Sequence, residues 1–185
     1  TANARGTLPL ALALANRMSD DAMMVLVNAA PDVFDLGGRT PLHIASAAKR
    51  SKELLQRVLE AHPAAAATAD AGGKLPLKLA LANDASDDAA MMLAAAAPDA
   101  VGSDGRMPLH LAGSAGVDKA ALSVLLEAHS AAAATADAGG QYPFELLPSG
   151  ASNDAATLLF EASGKPARPL WEALESAATI KLWFA

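Results

Sequence analysis

Cysteine is missing from the 185 residues, which excludes disulfides, thiolate catalysis and Cys-ligated zinc and leaves the four His residues to carry any metal. Basic residues are in deficit: 14 Lys and Arg stand against 20 Asp and Glu, a formal charge of −6. No locally basic cluster offsets that balance, so nucleic acid is not an expected partner. Aromatic residues make up only 4 % of the chain. Long apolar runs are missing too. The longest, Ala89 to Ala97 and Leu8 to Ala15, fall far short of the roughly 18 residues that a membrane-spanning helix needs. The expected protein is soluble or peripheral to a membrane.

What the chain has in quantity is alanine, 48 residues or about a quarter of the total, and a core of such small side chains requires closely approaching helices. It also repeats itself. A Gly followed by a residue-Pro-apolar step occurs at Gly6-Thr7-Leu8-Pro9-Leu10, Gly38-Arg39-Thr40-Pro41-Leu42, Gly73-Lys74-Leu75-Pro76-Leu77, Gly105-Arg106-Met107-Pro108-Leu109 and Gly140-Gln141-Tyr142-Pro143-Phe144. The prolines are spaced 32, 35, 32 and 35 residues apart, an alternation that defines a 67-residue superrepeat. Residues 9–75 and 76–142 match without a gap at about 40 of 67 positions, as expected for a duplicated two-unit module.

Each unit reads as two helices, a loop and a turn. Pro41 suits a first helical position, and Thr40 before it can cap the free amides. Ser19-Asp20-Asp21 and Ser86-Asp87-Asp88 mark second helix starts, with acids at the positive end of the helix. Leu54 to Leu59 and Leu122 to Leu126 supply apolar faces, and Pro63 ends one such helix ahead of an alanine-rich turn. The segments Asp35 to Gly38, Asp70 to Gly73 and Asp137 to Gly140 have the composition of tight turns with positive-φ glycines.

With these residues in place the chain resembles an ankyrin-repeat array. Thr40-Pro41-Leu42-His43-Ile44-Ala45 matches that family's Thr-Pro-Leu-His-x-Ala signature, and Pro108-Leu109-His110-Leu111-Ala112 with Gly116 matches most of it. The resemblance covers about residues 5–164 and implies an all-α, helix-turn-helix repeat solenoid with projecting β-turn fingers. Units start near 5, 37, 72, 104 and 139. The alanine-rich Gly-x-Leu-Pro-Leu form looks like ankyrin arrays of unicellular algae.

Several residues depart from the pattern. Leu8, Leu75 and Met107 replace the capping Thr, each forgoing a hydrogen bond worth about 1 kcal/mol. His gives way to Ala11, Lys78 and Glu145, so the inter-repeat bonds that the family makes through this His are not uniform. Pro148 should truncate the first helix of the fifth unit, since an interior Pro costs about 3 kcal/mol. Residues 165–185 form the remaining segment, in which Trp171, Leu174, Ala178 and Leu182 recur at helical spacing, and this segment is expected to be a C-terminal capping helix with an apolar tail.

The chemical readings of individual residues give way to structural ones. His43, His62, His110 and His129 repeat across the duplication instead of converging on a metal, and the acid pairs sit where helix starts need them. The Gly-Gly pairs lack a phosphate-loop context. No catalytic, metal or cofactor residue is expected, and the chain is read as a non-catalytic protein-interaction module.

Three surfaces are candidates for a protein partner. The resemblance places Arg39, Lys74 and Arg106 in a row on the fingers, either as ordinary solvated polar residues or as a ridge that steers an acidic partner. It places Ala47, Ala48, Ala82, Asn83, Ser114 and Ala115 in the concave groove, where they are small and poor in hot-spot chemistry. Trp183 and Phe184 read as cap packing or as an anchor to a partner or membrane surface.

Two other roles stand beside the module. One is a permanent structural or linker subunit of a larger assembly, in an organelle such as the chloroplast at a photosynthetic membrane complex. The other is a regulatory domain cut from a longer enzyme. The chain begins at Thr1 and not Met, which leaves room for a presequence or further repeats; without one, a cytoplasmic location is the default. The C-terminus reads as finished, whereas the first unit reads as an apolar end to be covered by unseen residues or another protein.

Overall fold

The computed structural model describes residues 19–29, 35 and 37–165. Among them the chain is all-helical, with eight α-helices, three short 3-10 turns and no strand. The helices are α1 (Asp20–Ala29), α2 (Pro41–Ala47), α3 (Lys52–Ala61), α4 (Pro76–Ala82), α5 (Asp87–Ala96), α6 (Pro108–Ala115), α7 (Lys119–Ala128) and α8 (Asn153–Ala162). The 3-10 turns are Pro63–Ala66, Ser130–Ala134 and Pro143–Leu146. The residues assigned to a C-terminal capping helix, and most of the first unit, lie outside the described residues.

Two kinds of start signal set the helices. Pro41, Pro76 and Pro108 open α2, α4 and α6 after an extended residue, where the missing N–H leaves nothing unsatisfied. Thr40 Oγ1 accepts from the His43 amide at 3.3 Å, whereas Leu75 and Met107 provide no side-chain cap. The second helices start at oxygen caps. Ser51, Ser86 and Ser152 accept from the amides of Leu54, Ala89 and Ala155, and Asp118 accepts from Ala121 at 2.8 Å. After α2, α4 and α6 the backbone enters the left-handed region at Lys49 (φ 54°), Asp84 (φ 50°) and Gly116 (φ 72°).

Helices of seven or eight residues are not stable alone; packing supplies what they lack. In one row α2 packs on α4, α4 on α6, and α6 on the turn Pro143–Leu146; in the other, α1, α3, α5, α7 and α8 pack in sequence. Within units, α2 packs on α3, α4 on α5 and α6 on α7. Leu42, Leu54, Leu55, Val58, Leu109 and Leu122 are buried between the rows, and the equivalent residues Ala45, Ala80 and Ala112 let first-row helices approach closely. The approach is also close at Gly113, where a Cβ would lie 2.8 Å from the Pro143 carbonyl oxygen. Pro148 ends the fifth unit's first helix at a single 3-10 turn, as the sequence implies. At that turn Tyr142 stacks on Phe144 with a centroid separation of 6.0 Å, and Phe144 meets Phe160 of α8 edge to face at 5.4 Å.

Candidate functional site

The turns between units form a ladder. Asp35, Asp70 and Asp137 each place Oδ1 on two backbone amides of their own turn: Gly37 and Arg39, Gly72 and Lys74, Gly139 and Gln141, all at 2.8–3.0 Å. These three turns, and a fourth at 102–105 in which Gly102 stands in place of the Asp, close through glycines with positive φ, at Gly38, Gly73, Gly140 and Gly105. Neighbouring turns are joined main chain to main chain. Ala71 donates to Gly37 O at 2.8 Å, Ser103 to Gly73 O at 2.9 Å, and Ala138 to Asp104 O at 2.9 Å. These bonds fix one turn against the next, which pre-organises any surface the turns carry.

Arg39, Lys74 and Arg106 sit one per turn, and their charges are disposed differently. Arg39 Nε pairs with Asp35 Oδ2 of its own turn at 3.0 Å. Arg106 Nε reaches forward to Asp137 Oδ2 at 3.0 Å, with Asp104 Oδ2 at 4.0 Å. Lys74 is exposed and has no ion pair among the described residues. The row therefore presents one uncommitted cation with a salt bridge in each neighbouring turn. Asp137 is held below the ordinary carboxylate range by the Gln141 amide; burial pulls the other way, and the Arg106 guanidinium and the Gly139 amide add to the lowering.

The third residue of each first helix links its unit to the next turn. His43 Nδ1 faces Thr40 Oγ1 at 2.8 Å and the Thr40 amide at 3.2 Å, and its Nε2 lies 2.9 Å from Lys74 O. With Nδ1 accepting from the amide, Nε2 carries the proton and donates to that carbonyl. Lys78 occupies the same place in the third unit and bonds Asp104 Oδ2 of the following turn. Burial raises the Asp104 carboxyl, but the hydrogen bond and charge of Lys78 outweigh it and the net shift is downward. His110 Nδ1 accepts from the Met107 amide at 3.3 Å, while its buried Nε2 has no hydrogen-bond partner. Burial pushes both imidazoles below the ordinary His value of 6.5, so both are neutral near pH 7. Neither faces a metal set: the described residues include no group of three or more His, Asp or Glu placed to hold an ion.

The expected groove residues lie together at the C-terminal ends of the first helices. Ala47, Ala82, Ser114 and Ala115 close α2, α4 and α6, with Ala48 and Asn83 immediately after. Ala48, Ala82, Asn83, Ser114 and Ala115 are exposed, and Ala47 is half-buried. Lys49 Nζ and Asp84 Oδ2, 3.9 Å apart, stand at their edge. Trp183 and Phe184 lie outside the described residues. No helix among the described residues is long and apolar enough to cross a membrane.

A further surface escaped the sequence reading. On the second row an open groove of about 770 Å³ runs along α3, α5 and α7. Its apolar lining includes Leu59, Met91, Met92, Ala95, Ala121 and Val124, and its acids include Asp87, Asp88 and Asp118. After its first two residues α5 has no polar side chain at all, and Val124 of α7 is 49 % exposed. The signal that could have found this groove lies in the differences between the duplicated halves, since their agreements mark only the shared fold. No protein-family model matches the chain, and comparison with curated proteins finds no match.

Proposed function

We propose that this chain is a non-catalytic protein-interaction module, an ankyrin-type array whose hydrogen-bonded turns present side chains to a protein partner. The observation that carries the reading is the ladder of Ala71, Ser103 and Ala138 amides onto the preceding turns. A surface fixed in this way loses little entropy when a partner binds. Lys74, with its charge uncommitted between two ion-paired arginines, is the residue through which that surface would steer an acidic face. The signature Thr40 to Ala45, with its Thr40–His43 cap and forward bond to Lys74 O, supports the ankyrin assignment.

A permanent subunit of a larger assembly is the second reading. It is favoured by the apolar α5 surface and by Val25 of α1, which is 68 % exposed. Native size separation of a gentle extract, with the chain detected by mass spectrometry, tests both. Co-elution with a defined protein that binds the purified chain, and binds the Lys74→Glu variant at least about tenfold more weakly, is the expected result. Co-elution in a large complex insensitive to Lys74→Glu would favour the permanent subunit. Elution near 18.6 kDa with no protein bound would overturn the interaction reading.

A further inference from the structure

The two halves of the superrepeat treat one pair of acids differently. In the first half, Asp20 lies 3.7 Å from Arg50 and 3.3 Å from the Ser51 hydroxyl, and Asp21 lies 3.0 Å from Arg57. Adding 67 gives the counterparts: Asp87 and Asp88 are kept, Arg50 becomes Val117, Ser51 becomes Asp118 and Arg57 becomes Val124. The second half thus retains both acids, loses both cations and gains a third acid.

Helix capping does not account for this change. Ser86 already caps α5, and Asn or Ser would cap α7 as well as Asp118 does. Lys52 compensates in part, reaching Asp88 at 3.1 Å from the neighbouring α3. Among the described residues no cation lies within ion-pair distance of Asp87 or Asp118. Beside these carboxylates, where the first half has the Arg57 stem and guanidinium, the second half has the exposed Val124 and the Met and Ala surface of α5.

We propose that the groove between α5 and α7 docks a basic amphipathic helix of a partner protein, with Arg or Lys at one end of its apolar stripe. The inference rests on the protein-interaction reading and names a surface and a partner chemistry for it. The partner's cation stands where Arg57 stands in the first half, against Asp87, Asp88 and Asp118. Its apolar residues lie on Met91, Met92, Ala95 and Val124. Small Ala side chains permit close helix approach, and flexible Met side chains adapt to the incoming surface. Ten-residue helices on either side give the groove a length of about 15 Å, about three turns of a docked helix.

The probe is a fluorescent peptide of about 18 residues, helical, with a Leu and Ala stripe and Arg residues at one end, titrated against the full chain by anisotropy. Its counterpart carries Glu in place of Arg. The Arg peptide is expected to bind and the Glu peptide not to. Val124→Arg, which restores the internal cation, and the double variant Asp87→Asn with Asp118→Asn, which keeps the caps, should each weaken binding by about tenfold or more. Equal binding of both peptides, or no effect of Val124→Arg, overturns the proposal. A dimer that Val124→Arg makes monomeric assigns the groove to a second copy, and Val124-dependent binding of a free 166–185 peptide assigns it to the chain's own C-terminal segment. Either result overturns the partner helix. A co-eluting protein that still binds while the Arg peptide fails refutes the groove alone; failure of both refutes the interaction reading with it.

Discussion

Replacing Asp137 by Asn is expected to destabilise the chain by about 2 kcal/mol, most of it through one ion pair. The Asp137 side chain is 3 % exposed, with Oδ1 on the amides of Gly139 and Gln141 and Oδ2 3.0 Å from Arg106 Nε. Asn keeps the shape and the Oδ1 acceptor but turns an amide donor toward the guanidinium. A hydrogen bond between charged groups is worth about 1.5–3 kcal/mol, and the 28 % exposure of the Arg106 side chain lets water recover part of the loss. The molecule contains its own control. Asp70 accepts the equivalent amides, Gly72 and Lys74, and has no guanidinium partner, so Asp70→Asn should cost about 0.5 kcal/mol or less. Urea unfolding followed by circular dichroism measures both, and a cycle with Arg106→Gln isolates the pair, with an expected coupling of about 1 kcal/mol or more. If Asp137→Asn lies within about 0.5 kcal/mol of Asp70→Asn, the ion pair is not what holds this turn and the reasoning fails.

Lys49→Gly should stabilise the chain by about 0.5–1 kcal/mol, because Lys49 holds φ 54° where its counterpart is Gly116; a lower urea midpoint would contradict this. Gly113→Ala should cost about 1–3 kcal/mol, since its Cβ would meet the Pro143 carbonyl at 2.8 Å. Its counterpart is Ser46, whose buried hydroxyl has no hydrogen-bond partner, so Ser46→Ala should be neutral or stabilising by up to about 1 kcal/mol. Acid should weaken the fold in two stages. The folded-state values of His43 and His110 lie below 6.5, so the unfolded chain takes up protons first, and stability present above that value is lost as pH falls through the depressed ones. His43→Gln with His110→Gln should flatten the urea-midpoint profile below about pH 6.5. Asp104 and Asp137, held below 3.8, extend the loss to lower pH. A profile unchanged by the His substitutions would refute this assignment.

The element starts were legible because their signals are local. Pro41, Pro76 and Pro108 open helices where a first helical position is expected, Ser86 caps α5, and Pro148 confines the fifth unit's first helix to one turn. The pairing of charges between units was not legible. Arg106 meets Asp137 31 residues away, and Arg57 meets Asp21 36 residues away, so each pairing depends on the register of stacked units. The groove along α5 was missed for a related reason. Finding it needed Asp87 and Asp88 to be read with Val117, Asp118 and Val124, residues that become neighbours only when α7 lies beside α5.

The third residue of each first helix gives the joints between units different vulnerabilities. A neutral imidazole, His43, bridges the second unit to the third, so that joint answers to acid and hardly to salt. A lysine–carboxylate contact, Lys78 to Asp104, bridges the third to the fourth at about one-third side-chain exposure; that joint answers to ionic strength at neutral pH. His110, its Nε2 unbonded, leaves the joint to the fifth unit more dependent on the Arg106–Asp137 pair and on the close approach of Gly113 to Pro143. Units that touch only their neighbours come apart at individual joints. Amide exchange at Ala71, Ser103 and Ala138, one donor at each joint, would then read the three separately: acid would open the joints served by His43 and His110, salt the one held by Lys78, and the chain would part at a place chosen by its surroundings.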